Sequence, residues 1–235
     1  MNDYLKVFYS GDKKPATDYP QHLADYLTQQ YLGPDKGKLL DIGCGKGDLL
    51  RAFGVVGFET FGVDGAQSAV ELCDPIPVSI GNLETDRLDF EDDTFDVVIS
   101  KSVVEHLHQP LKLTDEAFRI LKPGGTLILL TPSWMHHRFG PFYIDFTHVT
   151  PFTAPSLRAL FEYSGFSAAK IDHFIQLPYV WHRPWLKRLV RIFARLSLPY
   201  SPMYDDLTRI RWPVEFNKLI RFSREVMLLG VATKP

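Results

Sequence analysis

The chain has 235 residues, 45% of them hydrophobic and 23% charged, which is enough for one full α/β domain with additions and a large core. No apolar run follows a basic start and none approaches the ~20 residues of a membrane span, so neither a signal peptide nor a transmembrane helix is expected. The two cysteines, Cys44 and Cys73, show no bridging pattern, and a reducing, cytoplasmic protein is expected. A net charge of −2 hides an asymmetry, since residues 1–132 carry 12 Lys and Arg against 21 Asp and Glu, whereas residues 133–235 carry 14 against 7.

Residues 1–16 are polar and turn-rich and form a loose N-terminal arm in this reading. Leu23, Tyr26, Leu27 and Tyr31 recur at helical spacing and predict a helix over 19–32 that stops at Gly33-Pro34. A first strand follows at 38–43, where Leu39, Leu40 and Ile42 form an apolar run, and it leads into the glycine-rich turn Gly43-Cys44-Gly45-Lys46-Gly47-Asp48. Such a turn lets the backbone approach a ligand closely and aims helix N–H groups at it. Dinucleotide sites want a third glycine where this chain has Asp48, and Asp41 stands just before the turn. Two carboxylates there repel a pyrophosphate and attract an ammonium group. The turn therefore suits a cationic amino-acid tail better than a phosphate.

A helix from about 48 to 53 is expected to stop near Gly54 or Gly57. The second strand, 59–64, ends on Asp64, roughly 20 residues beyond the turn, where a carboxylate can accept both hydroxyls of a ribose. A helix over 66–72 and a short strand over 78–81 lead to Asn82-Leu83-Glu84. A polar side chain here can accept from an adenine amino group, with Asn82 the first choice and Glu84 the alternative. The fourth strand, 95–100, is a continuous apolar run of the kind buried on both faces, and it opens into Lys101-Ser102-Val103-Val104-Glu105-His106-Leu107. A helix over 113–121 ends at Lys122-Pro123-Gly124-Gly125, which launches a fifth strand over 126–131.

Leu40-Asp41-Ile42-Gly43-Cys44-Gly45, Val63-Asp64, Gly81-Asn82, Phe95-Asp96-Val97-Val98 with Glu105-His106-Leu107, and Leu121-Lys122-Pro123-Gly124-Gly125 come in the order and spacing of a known family. Over residues 37–135 the chain resembles the class I methyltransferases that use S-adenosylmethionine (SAM), in the branch that includes quinone-biosynthesis and glycan-modifying enzymes. Many of these enzymes carry Asp where this chain has Asn82. The resemblance implies an α/β fold with a Rossmann-like, doubly wound seven-stranded sheet, mostly parallel with one antiparallel strand and helices on both faces. It implies SAM as cofactor, with Asp41, Gly43, Cys44, Gly45, Asp64, Gly65, Asn82, Leu83, Lys101 and Ser102 as the residues that hold it.

Residues 134–152 form a long loop, dense in His and aromatic residues, that leaves from the same sheet edge. Asp145 to Thr153 is similar to a segment that lies near the acceptor pocket in bacterial methyltransferases of this branch. Methyl transfer to a hydroxyl is helped by a general base, for which His148, His106 and His137 are the candidates, with Asp145 as an orienting group or base. No metal is expected. His136 and His137 are adjacent, His106 and His108 make a short pair, and no Cys or carboxylate set completes a tetrahedral site along the sequence.

A helix over 156–163, capped by Thr153, precedes a sixth strand at 166–175, and a seventh strand follows at 225–233. The basic insertion between them, 176–224, contains a helix over 184–196. Wound at ~100° per residue, it gathers Trp185, Leu186, Leu189, Val190, Ile192, Phe193 and Leu196 on one face and Lys187, Arg188, Arg191 and Arg195 on the other. Two roles compete for it: a membrane-surface helix, or a cover over the protein's own core or active site. Tyr179, Trp181, Tyr200, Tyr204 and Trp212 can serve as pocket walls or interfacial anchors.

The expected whole is one methyltransferase domain over residues 1–235. It moves a methyl group from SAM to an oxygen of a small molecule, a glycan or a lipid-linked precursor, and works in the cytoplasm or peripherally at the inner membrane face. A non-catalytic SAM-binding scaffold and an RNA or protein methyltransferase using the basic insertion are the alternatives. An NAD enzyme is disfavoured by Asp48, and base amino-methylation by the lack of an Asn-Pro-Pro-Tyr-type sequence after the fourth strand. Nucleic acid is not the expected partner.

Overall fold

The computed structural model describes residues 17–138, 141–196, 198–201 and 213–235. The N-terminal arm and residues Tyr204, Arg209, Arg211 and Trp212 lie outside the described residues. In chain order the first elements are α1 (Tyr19–Leu27), which runs on through a wider π turn (Thr28–Leu32), then β1 (Lys38–Ile42), α2 (Asp48–Val56), β2 (Glu59–Asp64), α3 (Ser68–Cys73) and β3 (Val78–Ile80). There follow β4 (Phe95–Lys101), a 3-10 turn (Val104–His106), α4 (Leu111–Ile120) and β5 (Leu121–Pro132). Next come α5 (Trp134–His137), a 3-10 turn (Pro141–Ile144), α6 (Ala154–Tyr163) and β6 (Ser167–Phe174). The insertion holds α7 (Pro178–Trp181), α8 (Pro184–Phe193) and α9 (Val214–Arg224), and β7 (Met227–Thr233) completes the described elements.

The seven strands form one sheet in the order β3-β2-β1-β4-β5-β7-β6. The β3-β2-β1-β4-β5 pairings are parallel, and β7 runs antiparallel to both β5 and β6. The expected single reversed strand is therefore β7. The order reverses direction between β1 and β4, and the crevice at the carboxyl ends of these two strands is where such sheets bind ligands.

Side-chain alternation along the strands sorts the core onto two faces. Leu40 and Ile42 of β1, Val98 of β4 and Leu127 and Leu129 of β5 face α4 and α6 through Leu113, Ala117, Ile120, Leu157, Leu160 and Phe161. Leu39, Val97, Ile99, Ile128 and Leu130 point the other way, onto Leu23, Ala24, Leu27, Ala52 and Phe53 of α1 and α2. Residues 113, 117 and 120 repeat at the spacing of a helix with a single buried stripe.

Boundaries shifted where backbone chemistry decided them. α2 passes through Gly54 and stops at Gly57, whose φ of 109° gives the left-handed cap that a glycine supplies most easily. Thr153 caps α6 as expected. Its hydroxyl accepts from the Ser156 amide while the Ser156 hydroxyl accepts from the Thr153 amide. β5 starts five residues earlier than the sequence suggests, at Leu121 instead of Thr126. The Gly124 amide donates to the Lys234 carbonyl and the Lys234 amide to Gly125, so the glycine turn is drawn into the sheet.

Candidate active site

The turn after β1 takes its shape from three glycines with positive φ, Gly43 at 81°, Gly45 at 54° and Gly47 at 76°. Any side chain at Gly43 would strike Val103, since a Cβ built there lies 2.2 Å from Val103 Cγ2. The turn is pinned to β2. Gly43 and Cys44 both donate to the Val63 carbonyl, at 2.7 and 3.2 Å, and Gly45 donates to Asp64 Oδ2 at 2.9 Å. Asp64 is buried and also accepts from the Ala66 amide through Oδ1 at 2.8 Å. These bonds orient the carboxylate at the edge of the turn.

Asp41 is buried at the end of β1. Burial, the nearby Asp64 and Cys73 push its carboxyl up to about 7 against the pull of Lys101. Lys101, at the end of β4, has its ammonium lowered by burial although both Glu105 and Asp41 act to raise it. Ser102 follows in the left-handed region at φ 59° and donates its amide to the Leu130 carbonyl at 2.8 Å. A non-glycine residue held there is a strained backbone of the kind that clusters at functional sites. Lys101 faces Asp41 and Glu105, with Asp64 beside Asp41, so acidic groups outnumber the lysine in this crevice, a setting that a cationic ligand would match.

Burial of Asp41 above its ordinary range has a sign that can be tested. The folded-state pKa lies above the unfolded one, so the stabilising contribution is complete in acid and is lost as pH rises toward 7. The melting-point difference between Asp41→Asn and the ligand-free wild type is expected to be larger at pH 8 than at pH 5.5. Asp41→Asn is expected to raise the pH 8 melting point by several degrees while weakening SAM binding, by the scale of about 2–4 °C per kcal/mol for a domain of this size. A variant that melts below wild type at pH 8 would reject a strained Asp41.

Asn82 is exposed, and its Oδ1 already accepts from the Glu84 amide at 3.0 Å. One lone pair remains for an incoming donor. Leu83 points into the core beside Leu88, and Gly65 is exposed with open space around it. Glu84 is turned away, accepting from the His108 amide at 2.5 Å.

A second group of residues meets at the same edge. The Glu105 carbonyl accepts from both the Val149 and Thr150 amides at 2.9 Å, which straps the 141–150 loop to the turn after β4. The Glu105 side chain is fully buried. Oε2 accepts from the Thr131 hydroxyl at 2.9 Å, and Oε1 has no hydrogen-bond partner among the described residues. Burial pushes this carboxyl up to about 7, with Thr131 and Lys101 opposing.

His106 and His148 lie with ring centroids 4.6 Å apart. The Thr147 hydroxyl donates its only proton to Asp145 Oδ1 at 2.5 Å, so at the 2.8 Å contact with His106 Nδ1 it must accept. His106 therefore carries its proton on Nδ1 and presents the Nε2 lone pair. The same logic holds for His148, whose Nδ1 lies 2.6 Å from the Phe142 carbonyl, a group that can only accept. Burial, then His148, lowers the His106 pKa against the pull of Asp145. Asp145 is raised by burial, but the Thr147 hydroxyl and amide with both imidazoles outweigh this and hold it below its ordinary value. His137 has a different fate. It is buried with Nδ1 donating to the Ser133 carbonyl at 3.0 Å, and burial drives it down to about 4. It is a structural residue in this geometry.

A family model described as a methyltransferase domain matches residues 16–171. The chain belongs to this methyltransferase domain family. An uncharacterized methyltransferase of Mycobacterium leprae is 31% identical over 132 residues, covering 54% of this chain and 48% of the relative. A ubiquinone biosynthesis O-methyltransferase of Cereibacter sphaeroides is 31% identical over 138 residues, covering 52% of this chain and 56% of the relative. The chain thus aligns to about half the length of these curated relatives. Among solved structures, a putative methyltransferase in complex with the Haloferax volcanii Trm112 methyltransferase activator matches 100% of this chain and 99% of its own, with TM-score 0.70 and 22% identity. The phosphoethanolamine N-methyltransferase 2 of Haemonchus contortus, bound to phosphomonomethylethanolamine and S-adenosylhomocysteine, matches 92% of this chain and 52% of its own, with TM-score 0.60 and 18% identity.

The methyltransferase's cofactor is SAM, and the crevice fits it on two observations. The turn after β1 holds three glycines of positive φ against β2, and the neighbouring buried carboxylates Asp41 and Asp64 suit a cation flanked by hydroxyls. Two contributors escaped the sequence reading. Glu105 stood within a quoted motif without a role, and Thr147, between Asp145 and His148, is the link that ties the acid to His106. The Asp-x-Thr-His run was visible. Its pairing with His106, 41 residues earlier, was not.

Proposed function

We propose that this methyltransferase alkylates an oxygen of a small molecule, a glycan or a lipid-linked precursor, and that the described elements work as one domain with the acceptor side built from residues 134–152 and 176–224. The observation that carries the reading is the Asp145–Thr147–His106 relay, which leaves an unprotonated Nε2 at the carboxyl edge of the sheet. When bound, SAM supplies an electrophilic methyl carbon on a sulfonium. Asp41, Asp64, Lys101 and the glycine turn bind and orient that donor. His106 Nε2 takes the acceptor's hydroxyl proton as the oxygen is methylated, and Asp145, through Thr147, steadies the imidazolium that results. The C. sphaeroides relative named for ubiquinone O-methylation supports oxygen as the accepting atom.

A second reading rests on one observation. Glu105, His106 and His148 each bring a ligand atom to within 4.8 Å of the others, so the carboxylate set missing from the linear sequence is supplied by Glu105. Two imidazoles and a carboxylate can hold a divalent cation that would in turn bind the acceptor oxygen. Lys101 acts on Glu105 and supplies positive charge there already, which favours the base reading. Purified protein with methyl-labelled SAM and extract fractions tests both. Label is expected in an alkali-stable ether product, at a rate unchanged by EDTA. A chelator-sensitive rate restored by a divalent cation would replace the base by a metal, and label in RNA, in protein or in no fraction would overturn O-methylation.

A further inference from the structure

The helix α8 is anchored along one edge. Val190 is buried among Ile175, Leu177, Val180 and Val226, with Leu186 packed against the same group, and Phe193 meets Phe216 edge-on at 6.1 Å. The Arg224 guanidinium donates to the carbonyls of Ala194, Leu196 and Leu198, which ties the segment after the helix end to α9. Lys187 and Arg191 act on His173, on the body of the protein.

The rest of the apolar face stays outside. Trp185, Leu189, Ile192 and Leu196 are 62%, 53%, 60% and 51% exposed. Trp185, Leu189 and Ile192, four and three residues apart, lie in one line along α8. The helix stops at Phe193, short of the 196 expected from sequence, so Leu196 and Arg195 follow in the turn after its end, while at ~100° per residue Arg188 falls beside the apolar line, on the side away from the buried edge. From Arg183 to Leu196 the chain carries five cations and no acid. The covering role expected from sequence is filled by Leu186, Val190 and Phe193 alone.

We propose that α8 is an interfacial helix that seats the enzyme on an anionic lipid bilayer. Trp185, Leu189, Ile192 and Leu196 enter the headgroup–acyl boundary, and Arg188 and Arg195 meet the lipid phosphates. Charge complementarity selects this occupant over a second protein surface, since an apolar line bordered by arginines, without acids, matches a surface that is apolar inside and anionic at its rim. The position of the helix gives the contact a purpose. The insertion leaves and rejoins the sheet at the rung where Phe174 faces Met227 and Met227 faces Pro132, at the carboxyl edge of β5. His173 on that rung side meets His136 of the acceptor loop at 5.0 Å, and Arg191 acts on His136. Docking through α8 therefore brings the acceptor loop to the membrane. This deepens the methyltransferase reading, on which it rests, by naming a lipid-linked acceptor.

The full chain is mixed with vesicles of phosphatidylcholine alone and with vesicles containing 30% phosphatidylglycerol, then floated on a density gradient, with SAM binding measured on the same samples by calorimetry. The wild type is expected to float with the anionic vesicles only. Leu189→Glu/Ile192→Glu should reduce binding more than ten-fold, Arg188→Glu/Arg195→Glu should reduce it and flatten its salt dependence, and SAM affinity should be unchanged in both. All four positions are exposed, and an unaltered melting curve checks the fold. No flotation with anionic vesicles would overturn the proposal, as would equal binding by the Glu variants. A dimer that dissociates in Leu189→Glu without any vesicle binding would overturn it in favour of a second copy. Loss of SAM binding in the wild type would reject the methyltransferase reading independently of the vesicle result.

Discussion

Asp64→Ala is expected to weaken SAM binding at least 100-fold. Asp64 is buried at the carboxyl edge of β2 and is oriented by the Gly45 and Ala66 amides, the place and chemistry of a carboxylate that accepts from ribose hydroxyls. Hydrogen bonds to a charged group contribute about 1.5–3 kcal/mol each, and two ribose hydroxyls together give about 3–6 kcal/mol, or two to four powers of ten in affinity. The alanine variant also strands the two amides that hold the glycine turn, so part of its loss is structural. Asp64→Asn separates the contributions because it keeps one acceptor oxygen and nearly the same shape. An intermediate loss is expected for it. Calorimetric titration of both variants decides the matter, and an alanine variant binding within three-fold of wild type would remove Asp64 from the cofactor site.

His106→Ala should lower turnover by about 10²- to 10⁴-fold, the range of a general base, with SAM affinity within two-fold of wild type. Thr147→Val is expected to lower turnover about ten-fold, since it breaks the bond that sets the imidazole's tautomer without removing the ring. The pH profile gives an independent reading. Neutral imidazole is the working form, and burial together with His148 lowers the His106 pKa below its ordinary 6.5. Turnover should therefore rise with pH along a limb centred below 6.5 and stay flat through neutrality. His148→Ala removes one of the lowering influences and should move that limb upward. A His106→Ala enzyme with wild-type turnover and an unchanged acid limb would reject the base assignment.

The parallel core was legible because its signals are local and repeated. Apolar runs marked β1 and β4, a glycine turn marked the end of β1, and the acid at position 64 announced the end of β2. One reversed strand was foreseen through the resemblance, but not that it is β7, because antiparallel pairing leaves no mark on a strand buried over all but its last residue. Helix ends moved by a few residues where Gly57 and Thr153 chose the cap. The acceptor side was less legible. Asp145, His148 and His106 were named, but what joins them is the pairing of residues 105–107 with 147–150, a contact between distant segments. Burial turned His137 inward, which its neighbour His136 at the adjacent position could not foretell. The amphipathic pattern of α8 was plain, yet which part of its apolar face meets the protein depends on where α7 and α9 lie.

The rung on which Phe174 faces Met227 gives the insertion its independence. Residues 175–226 depart from and return to adjacent positions on neighbouring strands, so the sheet registers nothing of what lies between. Lengthening such an excursion costs only the slowly growing entropy of a longer loop. The insertion is in effect a cassette of the sheet, and its tie to the rest of the core runs through Trp181, which packs against Tyr19 and Tyr26 of α1. A lineage that keeps its donor chemistry can in this way change the surface on which it finds its substrate.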